Sequence, residues 1–245
     1  MFKNYVAVVT GASRGIGYAT AKALAAEGAH VIAIARTVGS LEALDDDIKA
    51  AGGGETTLVP LDITDYDALD RLGGVIAEKY GKLDILIGNA ATLGDITPIS
   101  HLKPKVWHQL MDINVTANYR LIRSLDPLLR ASDNGRAVFL GSSNVARDPR
   151  PFWGGYAVSK AALECLVKTY AQEIEMSNLR VNILNPGALR TAMRARAVPG
   201  EDASTLDTPA DLMPLMLTLC SPDFNDNGKV ADYKMWKEDK NNFFF

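Results

Sequence analysis

The chain has 245 residues, of which 47% are hydrophobic and 22% charged, with a formal net charge of −3. These values fit one large α/β unit and exclude a disordered chain. They offer no bulk electrostatic case for nucleic acid or an anionic membrane. No apolar run approaches the roughly 20 residues of a membrane-spanning helix, and Met1 leads almost directly into a strand-like segment without the features of a signal peptide. The two cysteines, Cys165 and Cys220, sit in helix-like apolar runs. Free thiols in a reducing compartment, and hence a cytoplasmic location, are expected. His30, His101 and His108 show no metal-ligand spacing, so no metal is expected.

In chain order, short apolar runs alternate with helical ones. Strands are predicted at Tyr5–Thr10, His30–Ala35, Thr57–Leu61, Asp84–Gly88, Arg136–Gly141 and Arg180–Leu184. Their near-continuous hydrophobicity suits strands buried on both faces. Helices are predicted near Gly15–Glu27, Gly39–Ala51, Tyr66–Lys79, Pro104–Ala131 and Tyr156–Met176, with Gly52-Gly53-Gly54 as a turn. This alternation predicts a doubly wound, Rossmann-type parallel sheet of about seven strands with helices on both faces, spanning residues 1–245 as a single domain. Leu189–Thr208, with Pro199, Gly200 and several charges, reads as a long excursion suited to closing over a site. The tail 232–245, ending Phe243-Phe244-Phe245, fits no repeat of the pattern.

The first strand leads into Thr10-Gly11-Ala12-Ser13-Arg14-Gly15-Ile16-Gly17. Glycines there permit a tight turn and close approach of backbone to a phosphate, and the helix N-terminus beyond offers free N–H groups. The spacing is Gly-x-x-x-Gly-x-Gly, and by itself it also suits a purely structural turn. The second strand ends Ala35-Arg36-Thr37, without the acidic residue that would hold a ribose 2′-hydroxyl. Arg36 and Arg14 are therefore either receptors for a 2′-phosphate or solvated surface charges.

Tyr156-Ala157-Val158-Ser159-Lys160 opens a helix, and residues four apart share a helix face. A cation beside the phenol favours its ionised form and would lower its pKa toward a working value. A bare Tyr-x-x-x-Lys is common, so its surroundings decide. With the glycine loop, Asp62 after the third strand, Asn89, Asn114, Ser143 thirteen positions before Tyr156, and Asn185-Pro186-Gly187 with Thr191, the sequence resembles the short-chain dehydrogenase/reductase family from residue 5 to about 230. Leu189–Ala195 and Thr208–Leu215 look like a bacterial branch whose substrate is uncertain.

The resemblance implies an oxidoreductase that interconverts a carbonyl and an alcohol by hydride transfer. Its catalytic set would be Asn114, Ser143, Tyr156 and Lys160. Ser143 would hydrogen-bond the substrate oxygen, and Tyr156 would protonate it as the nicotinamide delivers hydride. Lys160 would bind the ribose and depress the Tyr156 pKa, while Asn114 would hold a water that links Lys160 to solvent. NADP(H), preferred over NAD(H), would lie against Gly11, Ser13, Arg14, Gly15, Ile16, Gly17, Arg36, Asp62, Ile63, Asn89, Ala90, Tyr156, Lys160, Pro186, Gly187, Leu189 and Thr191. A homodimer or homotetramer pairing Pro104–Ala131 and Tyr156–Met176 is expected, with a small carbonyl or alcohol as the only other partner. An NADP(H)-binding sensor or scaffold without turnover is the alternative from another class.

Two departures from the family pattern stand out. Its Asn-Asn-Ala-Gly reads Gly88-Asn89-Ala90-Ala91 here, and the usual glycine-rich ending of the last strand is replaced by Lys229–Phe245. Leu93, Phe152 and Trp153 suit either an apolar pocket wall or ordinary core. Arg190, Arg194 and Arg196 suit either an anionic substrate group or a solvated loop.

Overall fold

The computed structural model describes all residues from 1 to 245, apart from the side chain of Ser143. Seven strands form one parallel sheet in the order β3-β2-β1-β4-β5-β6-β7. They are β1 Val6–Thr10, β2 His30–Ala35, β3 Thr56–Pro60, β4 Ile85–Gly88, β5 Arg136–Leu140, β6 Arg180–Asn185 and β7 Val230–Asp232. The helices are α1 Gly15–Ala26, α2 Val38–Ala50, α3 Tyr66–Tyr80, α4 Pro104–Met111, α5 Ala117–Arg130, α6 Ser143–Arg147, α7 Gly154–Glu173, α8 Ala192–Ala197, α9 Met213–Cys220 and α10 Tyr233–Glu238. This is the doubly wound architecture expected from the alternation of strands and helices.

Alternate side chains of each strand enter different cores. Ala7 and Val9 of β1 join the core beneath α1, α2 and α9, whereas Val6 and Val8 join the one beneath α3, α5 and α7. That double burial is why β1, β2 and β5 are almost wholly apolar. Helix ends follow local chemistry. The Asp65 carboxylate accepts from Ala68 N at 3.0 Å to start α3, and Gly81 at φ 69° stops it.

Four features differ from the sequence expectation. The helix read as Pro104–Ala131 is broken by a π turn at Asp112–Thr116 between α4 and α5. Helix α7 begins at Gly154, two residues before Tyr156, and ends at Glu173. The excursion contains α8 and a 3₁₀ turn at Ala203–Thr205. The tail is ordered: after α10 it returns to the sheet edge, where Phe244 bridges Ala231 in antiparallel sense. Asp232 N donates to Phe243 O at 2.8 Å and Phe245 N to Val230 O at 3.1 Å. Phe243 is buried there, so the aromatic run replaces the missing glycine-rich ending as the cover of β7. Among the described residues no helix is long and apolar enough to cross a membrane.

Candidate active site

Strand order reverses between β1 and β4, and in open α/β sheets the crevice beyond such a switch point is where ligands bind. The glycine loop leaves β1 at this place. Gly11 takes φ +66°, and a Cβ on it would lie 2.8 Å from Asn89 Nδ2 and 3.0 Å from Ala90 Cα. A Cβ on Gly17 would stand 2.3 Å from Gly11 O. Both positions therefore admit only glycine without movement of the backbone. Helix α1 starts at Gly15 with no side-chain cap and no acidic residue in its first turn, which leaves its N–H groups for an anion. Thr191, the N-cap of α8, lies over this turn: a Cβ on Gly15 would meet Thr191 Cγ2 at 3.7 Å. The cradle thus suits a dinucleotide diphosphate, with Ser13 and Ile16 half-buried in the same turn.

Thr10 joins the two sides of the crevice. Its hydroxyl donates to Ile87 O at 3.1 Å and accepts from Asn89 N at 3.0 Å and Ala90 N at 3.1 Å. Asn89 Nδ2 donates back to Thr10 O at 2.8 Å. Ala91 follows this clip without disturbing it, so the Gly-to-Ala departure leaves the β1–β4 junction intact. Thr10 was not singled out from the sequence. The available signal was a hydroxyl closing the otherwise apolar run Val6-Ala7-Val8-Val9.

At the end of β2, Arg36 is exposed and pairs with Asp62 beyond β3 at 3.7 Å. Arg14 is also exposed. Burial pushes the Asp62 carboxyl up, but hydrogen bonds from Thr64 N and Oγ1 and the Arg36 charge bring it below the usual carboxylate range overall. Ile63 beside it is buried. Beyond β6, Pro186 is half-buried, Gly187 is exposed at φ +66°, and Leu189 is buried.

The chemistry-bearing side chains converge where α7 meets the ends of β4 and β5. Lys160 is buried, and its Nζ donates to Leu140 O at 2.8 Å and lies 5.9 Å from the Tyr156 ring centroid. Burial lowers the Lys160 pKa to about 8. Burial raises that of Tyr156, against which a hydrogen bond with Ser142 acts in the opposite direction. The expected depression of Tyr156 by Lys160 is therefore not what the structure shows: the Lys160 proton is directed to a carbonyl, and desolvation dominates at both groups. The side chain of Ser143 lies outside what the structure describes, and its expected contact with the substrate oxygen lies there with it. Its neighbour Ser142 is the hydroxyl that draws the Tyr156 pKa down against burial. The tandem Ser142-Ser143 gave no means of choosing between them beyond spacing.

Asn114 sits in the π turn, fully buried. Thr92 N donates to its Oδ1 at 2.8 Å, and its Nδ2 donates to Thr92 O at 2.9 Å and to Ser159 Oγ at 2.9 Å. Ser159 Oγ in turn donates to Tyr156 O at 2.8 Å. The Asn114 amide thus binds protein groups that set the first turn of α7.

Of the three candidate wall residues, Leu93 is core, Trp153 packs edge-on to Tyr156 at 6.1 Å, and Phe152 projects outward at 55% exposure. The excursion arginines are bound internally. Arg190 donates to the carbonyls of Ala203, Ser204 and Leu206, Arg194 pairs with Glu201 at 2.6 Å, and Arg196 donates to Gly94 O at 2.7 Å. They brace the excursion and tie it to the loop after β4. Arg190 and Arg196 stay exposed to solvent while making these contacts, and Arg194 is half-buried.

A doubly wound sheet with a glycine cradle at its switch point and a Tyr–Lys pair at the start of α7 defines the class of dinucleotide-dependent oxidoreductases. The family model for short chain dehydrogenases matches residues 5–202. The chain belongs to this family, and it is an NAD(P)-binding oxidoreductase of the bacterial type. It is 41% identical over 225 residues to the uncharacterized oxidoreductase YciK of Escherichia coli K12, covering 91% of this chain and 88% of the relative. A short chain dehydrogenase from Salmonella enterica serovar Typhi superimposes with a TM-score of 0.89 at 39% identity, covering 94% of this chain and 96% of that one. An Escherichia coli CFT073 protein solved in complex with NADPH gives a TM-score of 0.88 at 40% identity, covering 94% and 97%.

Proposed function

We propose that the protein interconverts a carbonyl and its alcohol using NADP(H), with Tyr156 as the proton donor and acceptor. One observation carries this reading: the Tyr156 phenol and the buried Lys160 ammonium share one face of α7 beside the glycine cradle. Burial holds the phenol protonated at neutral pH, the form required of a donor to a developing alkoxide. Lys160, with a pKa near 8, keeps its charge at neutral pH and supplies positive potential to the crevice. When bound, the dinucleotide would supply the hydride. Gly11, Gly15 and Gly17 with the α1 N-terminus would hold its diphosphate, and Asn89, Ala90, Pro186, Gly187, Leu189 and Thr191 would border it. Asp62 and Ile63 would flank the adenine end.

The preference for NADP(H) rests on Ala35-Arg36-Thr37, where no carboxylate follows β2 and an exposed guanidinium does. The similar Escherichia coli protein solved with NADPH supports the same cofactor. A second copy of the chain is the proposed partner, paired through α5 and α7, whose outer surfaces expose Tyr119 and Val158. Sedimentation as a monomer at micromolar concentration would count against that pairing.

The test of the central reading is a panel of ketones, aldehydes and alcohols with NADPH or NADP+, followed by reduced-nicotinamide absorbance. Tyr156→Phe should lower kcat on the best substrate by about 10²–10⁴-fold while NADPH affinity stays within about threefold. Near-normal kcat in that variant removes Tyr156 from the chemistry.

A further inference from the structure

The aromatic tail touches the helix that carries the candidate catalytic serine. Helix α6 is only five residues long, Ser143–Arg147, and follows β5 directly into the site. Such a short helix has little stability of its own. Its last residue, Arg147, is held from two directions. Arg147 Nη2 and Nε donate to Glu164 Oε1 at 2.6 and 3.1 Å. Glu164 lies one turn beyond Lys160 on α7, the helix of Tyr156. On another side, the Arg147 guanidinium lies 4.9 Å from the centroid of the Phe245 ring.

Phe245 is itself anchored. Its N–H donates to Val230 O, Phe243 is buried, and the Phe243 and Phe244 rings stand 4.3 Å apart. Phe244 also packs on Phe224 at 6.1 Å. The guanidinium is therefore set between an ion pair on α7 and an aromatic ring fastened to the edge of β7.

We propose that Arg147 and Phe245 are positioning residues: together they clamp α6, and so set where Ser142 and Ser143 stand relative to Tyr156. The proposal rests on the reading of Tyr156 as proton donor. It gives a use to a tail that replaces the family's ordinary strand ending, because the last aromatic ring meets Arg147 of α6 from the edge of β7. A cation–π contact of this exposure is a modest interaction, but a small shift of a reacting group is enough to lower turnover.

The test uses the full chain. Phe245→Ala and Arg147→Ala should each lower kcat about three- to tenfold with KM and NADPH Kd within about twofold. The double variant should be no slower than the poorer single one, because both changes release the same contact. Phe245→Trp and Arg147→Lys, which keep a ring and a cation, should restore most of the kcat. Amide exchange of residues 144–148 in the ligand-free protein should quicken about two- to fivefold in Phe245→Ala. A kcat at the wild-type level in both alanine variants overturns the proposal, and so does additivity in the double variant. If the wild type turns over no carbonyl at all, the reading of Tyr156 fails and the positioning role fails with it. In that case unchanged exchange at 144–148 would also remove the clamp, whereas faster exchange would keep it as a structural contact.

Discussion

Asn114 and Thr92 grip each other twice: the amide of one side chain closes on both main-chain polar groups of the other residue, at 2.8 and 2.9 Å. This clip joins the π turn to the loop after β4, and through Ser159 it reaches the turn of helix that holds Tyr156. Asn114→Ala would leave these partners without their buried bonds, at a cost of roughly 2–4 kcal/mol. We expect a lower unfolding midpoint together with a drop of more than about tenfold in turnover. Asn114→Asp keeps the acceptor for Thr92 N but sets a buried carboxylate oxygen against Thr92 O, so its midpoint should fall at least as far. Urea melts of the three proteins decide this, and a midpoint unchanged in the alanine variant would show that the clip is dispensable.

Lys160 gives a pH dependence with a definite sign. Its folded pKa is near 8 and its unfolded value is 10.5. Below about pH 8 both states hold the proton, and the folded state carries the full burial penalty. Between about 8 and 10.5 the unfolded chain holds a proton that the folded chain has lost, so stability rises with pH. Lys160→Met lacks this effect. The stability advantage of the Met variant should therefore shrink by about 1–2 kcal/mol between pH values of about 7 and 9.5, the slope being at most about 1.4 kcal/mol per pH unit. Tyr156 is present in both proteins and cancels in the difference. A gap that does not narrow with pH would place the Lys160 ammonium in contact with solvent.

Two glycines in the same loop should respond differently to one methyl group. Gly17→Ala forces a Cβ to 2.3 Å from Gly11 O, a main-chain atom, and to 2.4 Å from Asn89 Nδ2, whereas Gly15→Ala places it 3.7 Å from Thr191 Cγ2. The Gly15 change carries only the strain of φ +60°, about 1–2 kcal/mol. Gly17→Ala should cost more than this and should also abolish dinucleotide binding, since the cradle itself must shift. Denaturant melts and cofactor titrations on both variants check the order.

Cofactor choice should turn on the end of β2. Arg36 is 69% exposed, so its contribution to 2′-phosphate binding is reduced by solvent screening. Arg36→Ala should weaken NADPH about five- to tenfold and leave NADH almost unchanged. Ala35→Asp combined with Arg36→Ala should invert the preference, because a carboxylate there repels the phosphate and accepts from a 2′-hydroxyl. Equal affinities for the two cofactors in the wild type would show that Arg36 serves only Asp62.

Much of the fold could be read from residues because its signals are dense. Val6–Thr10 and His30–Ala35 are buried on both faces, and a run of that kind has few other places to go. The glycine loop and the Tyr156–Lys160 spacing were legible because each demands particular residues at particular separations. What escaped the sequence depends on single contacts between distant segments. Helix α6 is too short to show a period, and β7 has three residues. The partners of Arg190 and Arg196 include backbone carbonyls up to 102 positions away, which no local pattern marks. The direction of the Tyr156 shift also escaped, since four-residue spacing reports proximity to a cation but not the burial that outweighs it.

The π turn at Asp112–Thr116 has a consequence for chain length. It amounts to a phase step inside a helical run that extends from Pro104 to Arg130. Removing one residue from it would restore ordinary pitch and leave α5 near its present phase, because a π turn spreads five residues over roughly the rotation that four give an α-helix. Leu121, Leu125 and Leu129 would stay directed into the core beneath α5, but Asn114 would leave Thr92. A deletion that a surface loop absorbs would here spare the core and disconnect the site. A redesign that made this helix more regular would yield a better helix and a poorer protein.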